Sequence, residues 1–330
     1  MRFTTTLRFP FLFAAFLIVV TASALAVTYG TLINTAGADE PTPFVKTIET
    51  FTVPVTTAPY TSGTYDLTKG QVPANTLLLM RVKREGTDYS AEASSFRVDF
   101  DTEVSNRVVV HRTTGDAPFY ATVTAVEFDP DQVNVYKQEW TLNSRQLGSN
   151  PDLRDENMRV YADPDETKAI AIISYTATGS STKPSSYYVS AYQSGASHVV
   201  IRRGSTNGVT INGYYTTIEA RGDQFRAYHE GNGLILGNAT SSTSGSFSKL
   251  PVERDRTALF TTMRTSETEA NLGSLGFMSH LAGTGPTASQ ITYERGGVSS
   301  NIRLRPSFAT EVLEFLQGDT VSTGFVSLLS

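Results

Sequence analysis

The sequence predicts an all-β chain of three tandem β-sandwich units, Ig-like or jelly-roll-like, behind an N-terminal hydrophobic helical segment. Three observations predict it. Short runs rich in Val, Ile, Thr, Tyr and Phe recur with Gly, Ser, Asn and Asp between them. A set of landmarks repeats at an interval of about 92 residues. The opening of the chain is basic, then apolar, then abruptly polar.

The opening is an export signal: Arg2 and Arg8 precede a predominantly apolar, uncharged stretch, Phe9 to Val27. Small residues at Ala22-Ser23-Ala24, Ala24-Leu25-Ala26 and Ala36-Gly37-Ala38, the last just before Asp39-Glu40-Pro41, are candidate cleavage sites. The apolar stretch has 19 residues, enough to cross a bilayer. Residues 1–38 therefore read as a cleaved signal peptide or as a retained anchor, and residues 28–46 as a spacer. The expected location is secreted or cell-surface, in the manner of a bacterial envelope protein.

Of the 27 basic residues, Arg2 and Arg8 fall in that segment, which leaves 25 against 32 acids and a net charge of about −7. This acidity suits solubility outside the cell. No basic stripe is present, which argues against nucleic-acid binding. With no cysteine, the chain has no disulfides, thiolate metal site or lipidated cysteine, and packing alone must hold it.

The repeat defines units at 39–132, 133–224 and 225–330. Ser94-Ser95-Phe96-Arg97-Val98 matches Ser185-Ser186-Tyr187-Tyr188-Val189, and Arg112 and Arg203 each follow the aromatic by 16 residues. Val126-Glu127 matches Ile218-Glu219, and Asp131-Gln132 matches Asp223-Gln224. The third copy is more diverged: Phe277, then Ile291 to Gly296, then Val312-Leu313-Glu314-Phe315. Apolar runs at Leu77–Met80, Ile170–Ile173 and Ala258–Phe260 are strands buried on both faces. Thr61–Tyr65 and Thr243–Phe247 are lead-in strands to the first and third of these. Ala309–Leu316 fits a strand register. The units are expected as beads in a row.

The recurring Arg112, Arg203, Arg295 and Glu127, Glu219, Glu314 read as solvent-facing cross-strand pairs. Asp99, Asp101 and Glu103 would share one strand face, and Asp129-Pro130-Asp131 and Asp163-Pro164-Asp165-Glu166 form acidic turns, but none has the spacing of a calcium loop. His111, His198, His229 and His280 lack ligand spacing. Ser180–Lys183 and Ser246–Lys249 satisfy Ser-x-x-Lys without its companion motifs, and no phosphate or dinucleotide fingerprint occurs. The reading is therefore non-enzymatic, with no catalytic residues, cofactor or metal.

Two surfaces remain. Tyr187, Tyr188, Tyr192, Tyr214 and Tyr215, set among Ser, Asn and Gly, have a contact composition suited to a glycan or another partner. The alternative is that alternate tyrosines pack inward. Trp140 is expected to pack the junction between the first two units. Leading strands at Thr50–Val55, Val133–Tyr136 and Phe225–Tyr228 serve three bodies, and a fourth candidate, with Val321, Phe325, Val326 and Leu328, would be surplus. It could complete a neighbouring molecule by strand addition, or pair within the third unit. The expected function is a structural or adhesive surface protein that self-associates, with a lectin-like module as the alternative; the membrane enters only through the N-terminal segment.

Overall fold

The computed structural model describes residues 44–85, 95–115, 117–144, 154–159, 167–194, 198–230, 242–246, 251–265, 277–295 and 306–316. The signal or anchor segment and the candidate strand at 321–329 lie outside them. Among the described residues all regular elements are strands or short 3-10 turns, so the chain is all-β. No described helix is long and apolar enough to cross a membrane.

One strand path recurs along the chain. In the first segment β1 (Val45–Val55), β2 (Ser62–Asp66), β3 (Thr76–Arg84), β4 (Arg97–Phe100), β5 (Arg107–His111) and β6 (Phe119–Phe128) form antiparallel sheets ordered β1-β6-β3 and β2-β5-β4. The second comprises β7 (Val133–Leu142), β8 (Arg154–Arg159), β9 (Ala169–Thr178), β10 (Val189–Ser194), β11 (His198–Arg203) and β12 (Thr210–Ala220), ordered β7-β12-β9 and β10-β11-β8. The third has β13 (Phe225–Glu230), β14 (Ser242–Ser246), β15 (Val252–Glu253), β16 (Thr257–Thr265), β17 (Phe277–Leu281), β18 (Thr287–Ala288), β19 (Gln290–Arg295) and β20 (Pro306–Phe315). Its sheets are β13-β20-β16 and β14-β19-β17, with β15 paired to β18. Ala309–Leu316 thus falls largely on a strand, and β8 is a lead-in strand for which the second copy gave no sequence signal.

The registers coincide. Thr76, Ala169 and Thr257 lie opposite Glu127, Glu219 and Glu314. Two residues past each glutamate, the amides of Asp129, Arg221 and Leu316 donate to the carbonyls of Phe44, Gln132 and Gln224, at 2.8, 2.8 and 2.9 Å. These bonds close each leading strand onto the last strand of its own segment.

The side-chain alternation of the central strand explains the packing. On β6, Ala121, Val123 and Ala125 face the second sheet of their own segment and build a core with Phe51, Val53, Val108 and Val110. Val126 and Phe128 project from the opposite face. They join a separate core that draws on all three segments: Phe44 and Leu77 from the first, Val133, Ile170 and Ile218 from the second, Phe225, Leu313 and Phe315 from the third. The rings of Phe44, Phe225 and Phe315 meet there at centroid separations of 5.7 to 6.4 Å.

The expectation of beads in a row is therefore overturned. A strand buried on both faces needs a partner on each, and the first sheet of every segment finds its second partner in the other two segments. The described residues all fall within one compact unit, which is built around this shared axial core. Trp140 is likewise not at a junction: it lies on β7, 2% exposed, in the second segment's own core, 6.1 Å from the Tyr175 ring.

Candidate functional site

The axial face of each first sheet begins apolar and turns polar as it leaves the shared core. Along β3 it carries Leu77, Leu79 and Arg81; along β9, Ile170, Ile172 and Ser174; along β16, Ala258, Phe260 and Thr262. Strands from the preceding segment cover the polar ends of the second and third faces, and they do so with the same contact.

At the first seam the Val98 amide of β4 donates to Ser174 Oγ at 2.8 Å, and the hydroxyl returns a longer bond of 3.5 Å to Val98 O. At the second seam the Ala191 amide of β10 donates to Thr262 Oγ1 at 2.8 Å, and that hydroxyl donates to Ala191 O at 3.1 Å. Ser174 and Thr262 occupy the same position, five residues after the strand residue opposite the recurring glutamate. A hydroxyl at the matching position of two strands thus clasps the backbone of the neighbouring segment.

Charged groups gather beside the first clasp, around a cavity of about 320 Å³ lined by Asp99, Phe100, Lys137, Ser174 and Tyr214. Arg97 Nε approaches Asp99 Oδ2 to 2.7 Å, and its guanidinium lies 4.8 Å from the Tyr214 ring centroid. Lys137 Nζ sits 4.3 Å from the Phe100 ring centroid and donates to Pro73 O. Burial pushes the Asp99 carboxyl up to about 7, despite the opposing pull of Arg97 and Lys137. Lys137 is exposed as a residue, but local desolvation of its ammonium at the cavity wall, against the pull of Asp99, lowers it to about 8. Tyr214 is raised to about 12, by burial first and then by its hydrogen bond to Glu139. At the second seam Glu311, 1% exposed, is held by His229 Nδ1 and the Gln193 amide.

The third seam, between β16–β17 and the first segment, is built differently. Arg81 stands where the other faces have Ser174 and Thr262, and Ser279 of β17 bonds within its own segment, to Thr261 Oγ1 at 2.8 Å. Thr50, Thr52, Arg81 and Thr122 are exposed on the axial face of the first segment. A cleft of about 690 Å³ lies there, bounded by Leu79, Arg81, Thr124, Ile172, Phe260 and Ser279 among others.

The residues singled out from sequence fare unevenly. Tyr187 is 2% exposed and donates to Gly179 O at 2.9 Å; Tyr215 is fully buried and donates to Gln138 Oε1 at 2.9 Å. Both are core residues, so the five tyrosines do not share a contact face: strand alternation turns Tyr215 of β12 inward, and Tyr187 is packed in at the end of the 3-10 turn Pro184–Ser186. Tyr188, Tyr192 and Tyr214 are half-buried.

Arg112 and Arg203 are buried rather than solvent-facing, and they do not pair with the recurring glutamates. Arg112 donates to the carbonyls of Tyr60 and Ala117, Arg203 to those of Val209 and Asn143. Glu127 accepts from Thr47 Oγ1 and the Val72 amide, Glu219 from Asn134 and Tyr136, Glu314 from Arg226 and the Glu253 amide. Val72 and Glu253 each precede a 3-10 turn, Pro73–Asn75 and Arg254–Arg256, so Glu127 and Glu314 anchor the same turn in two segments. The side chain of Arg295 lies outside the described residues.

Asp99, Asp101 and Glu103 do not share a strand face, because β4 ends at Phe100 and Asp101 Oδ1 caps a turn by accepting the amides of Glu103 and Val104. Among the described residues no three His, Cys, Asp or Glu side chains cluster as a metal site. Ser174, Thr262, Asp99 and Lys137 escaped notice as a set. The one sequence signal for Ser174 and Thr262 is a hydroxyl at a matching strand position in two copies, whereas Asp99 was noticed only as part of an acidic run and Lys137 carries no such signal. Comparison with family models, curated proteins and solved structures finds no match to this chain.

Proposed function

We propose that the chain is an exported, non-enzymatic surface protein: a structural or adhesive block of three β-sandwich units fused around one axial core. The observation that carries this reading is the use made of its recurring polar groups. Arg112, Arg203, Glu127, Glu314, Ser174 and Thr262 hold backbone in place, at turns, strand ends or seams. Repetition of this kind selects for a rigid scaffold rather than a reactive centre. The signal-like N-terminus and the acidity support an exterior location.

Self-association by strand addition belongs to the same proposal. The three described segments each have a leading strand of their own, β1, β7 and β13, paired with β6, β12 and β20. A fourth such sequence, containing Val321, Phe325, Val326 and Leu328, is then surplus and serves a neighbouring molecule. Light scattering and negative-stain electron microscopy of the full protein and of a form lacking residues 320–330 test it. Assemblies present in the first and absent from the second are expected, with unchanged unfolding of the remainder. A monomeric full chain, or undiminished assembly of the truncated form, refutes it. The lectin-like alternative keeps only Tyr188, Tyr192 and Tyr214, and a glycan array decides it.

A further inference from the structure

The surplus segment also repeats a strand of the third unit. Gly324-Phe325-Val326-Ser327-Leu328-Leu329 matches Gly276-Phe277-Met278-Ser279-His280-Leu281 at the Gly, the Phe, the Ser and the final Leu, and Ser322 matches Ser274 ahead of them. Phe277–Leu281 is β17, an edge strand of the sheet β14-β19-β17. β4 and β10 hold the same place, at the edges of β2-β5-β4 and β10-β11-β8. In those two sheets the edge strand is what covers the next segment's axial face, through the Val98 amide on Ser174 and the Ala191 amide on Thr262. Residues 321–329 thus carry the sequence of a seam strand, in a chain whose third segment already has β17.

The first segment presents a face of the matching kind. On the sheet β1-β6-β3, Thr52 pairs with Thr122 and Thr122 with Arg81, so the three form one row, and all are exposed. Ser174 and Thr262 stand in the corresponding row of the other two sheets, where the seam strands sit. The cleft of about 690 Å³ takes Arg81 and Thr122 from this row, together with Leu79, Ile172 and Phe260, which occupy matching positions on the three sheets. Its mixture of hydroxyls and apolar side chains is what a docked strand requires. Thr52 and Thr122 bond each other at 3.4 Å, and a hydroxyl with one such bond keeps capacity for main chain, as Thr262 shows by serving both the amide and the carbonyl of Ala191. A guanidinium has several donors, so Arg81 can reach a main-chain carbonyl alongside the contacts it already makes.

We propose that residues 321–329 of one molecule dock on the axial face of β1-β6-β3 in a second copy, entering the cleft in the part that β4 and β10 play at the other two seams. This rests on the strand-addition reading above and names its acceptor. Phe325 is set against the apolar wall of Leu79 and Phe260, and the main chain at Ser327, two residues past the aromatic as Val98 is past Phe96, meets Thr122. A segment that resembles a seam strand and a face that matches two occupied ones are independent observations, one from sequence and one from structure.

Photo-crosslinking of the full chain tests it. A protein with Phe325 replaced by p-benzoylphenylalanine is mixed with an isotopically heavy copy, irradiated, and mapped by peptide mass spectrometry. Crosslinks between light and heavy chains are expected on β3, β6, β9 or β16, the strands that bound the cleft. Thr122→Trp in the heavy copy, a change at an exposed position that blocks the row, should lower their yield about tenfold. Should that variant fail to fold, the map from the unsubstituted heavy copy decides alone. Assemblies whose crosslinks fall on other strands, or whose yield ignores a folded Thr122→Trp, would overturn this acceptor and leave strand addition standing. Crosslinks confined to single chains would overturn it in favour of a tail that serves its own molecule, and a full chain that stays monomeric would overturn both readings.

Discussion

Replacing Asp99 with asparagine should flatten the pH dependence of stability between mildly acid and mildly alkaline solution. Asp99 is packed at the first seam beside Arg97 and Lys137, with 18% of its side chain exposed, and its carboxyl titrates near 7 rather than at the ordinary 3.8. The folded state therefore holds this proton more tightly than the unfolded chain does. The contribution of Asp99 to stability is complete below pH 3.8 and is lost as pH rises through about 7. A separation of this size integrates to about 4 kcal/mol, of which somewhat more than half falls between pH 5 and pH 8. Lys137 acts in the opposite sense and higher up: its lowered value, about 8, means that stability recovers as alkali removes its charge. Trp140, the only tryptophan, is buried in the second core and reports unfolding in urea by fluorescence. Between pH 5 and pH 8 the wild type should lose about 2–3 kcal/mol more than Asp99→Asn, and removing the Asp99 charge also lowers the neighbouring Lys137 further, which adds to the difference in the same direction. Parallel pH curves for the two proteins would refute the assignment.

The hydroxyl clasps make a paired prediction: Ser174→Ala and Thr262→Ala should each cost about 1–3 kcal/mol, because each strands an amide, of Val98 or Ala191, at a packed seam. Thr262→Ser should be milder than Thr262→Ala, and the two alanine losses should add if the seams act independently; urea titration measures both. Gly213 lies where β12 passes Trp140, and a Cβ there would fall 2.5 Å from Ser174 O and 2.9 Å from Trp140 Cζ2. Gly213→Ala should therefore destabilise by about 1–3 kcal/mol or more and shift the Trp140 emission, whereas an unshifted spectrum with unchanged stability would contradict the packing.

Much of the strand plan was legible because it depends on local pattern. Glu127, Glu219 and Glu314 were aligned correctly from sequence, since each directly follows an apolar residue on a strand whose register is fixed by burial on both faces. The aromatic landmark was less secure. Phe96 lies beside Arg112, next to the Arg97–His111 pair, yet in the second segment it is Val189 that stands opposite Arg203. Tyr187 follows the 3-10 turn Pro184–Ser186 instead of opening the strand. A slip of two residues preserves the side-chain face, so the two copies still looked aligned.

The joining of the three segments was not legible, and the reason is physical. A period-two pattern shows that a face is buried but not what buries it, so Val126, Ile218 and Leu313 could have met another sheet of their own unit as readily as one another. The same ambiguity hid the candidate cleft. Arg81, Ser174 and Thr262 look like ordinary polar ends of apolar strands until the segments are arranged around an axis. Then two of the three are seen to clasp a neighbour, while the third is a cation at the mouth of a cleft. Divergence at that one position distinguishes the third seam from the other two. Arg81→Ser is accordingly the substitution that would reveal whether the difference lies in the side chain alone or in the whole approach of β17.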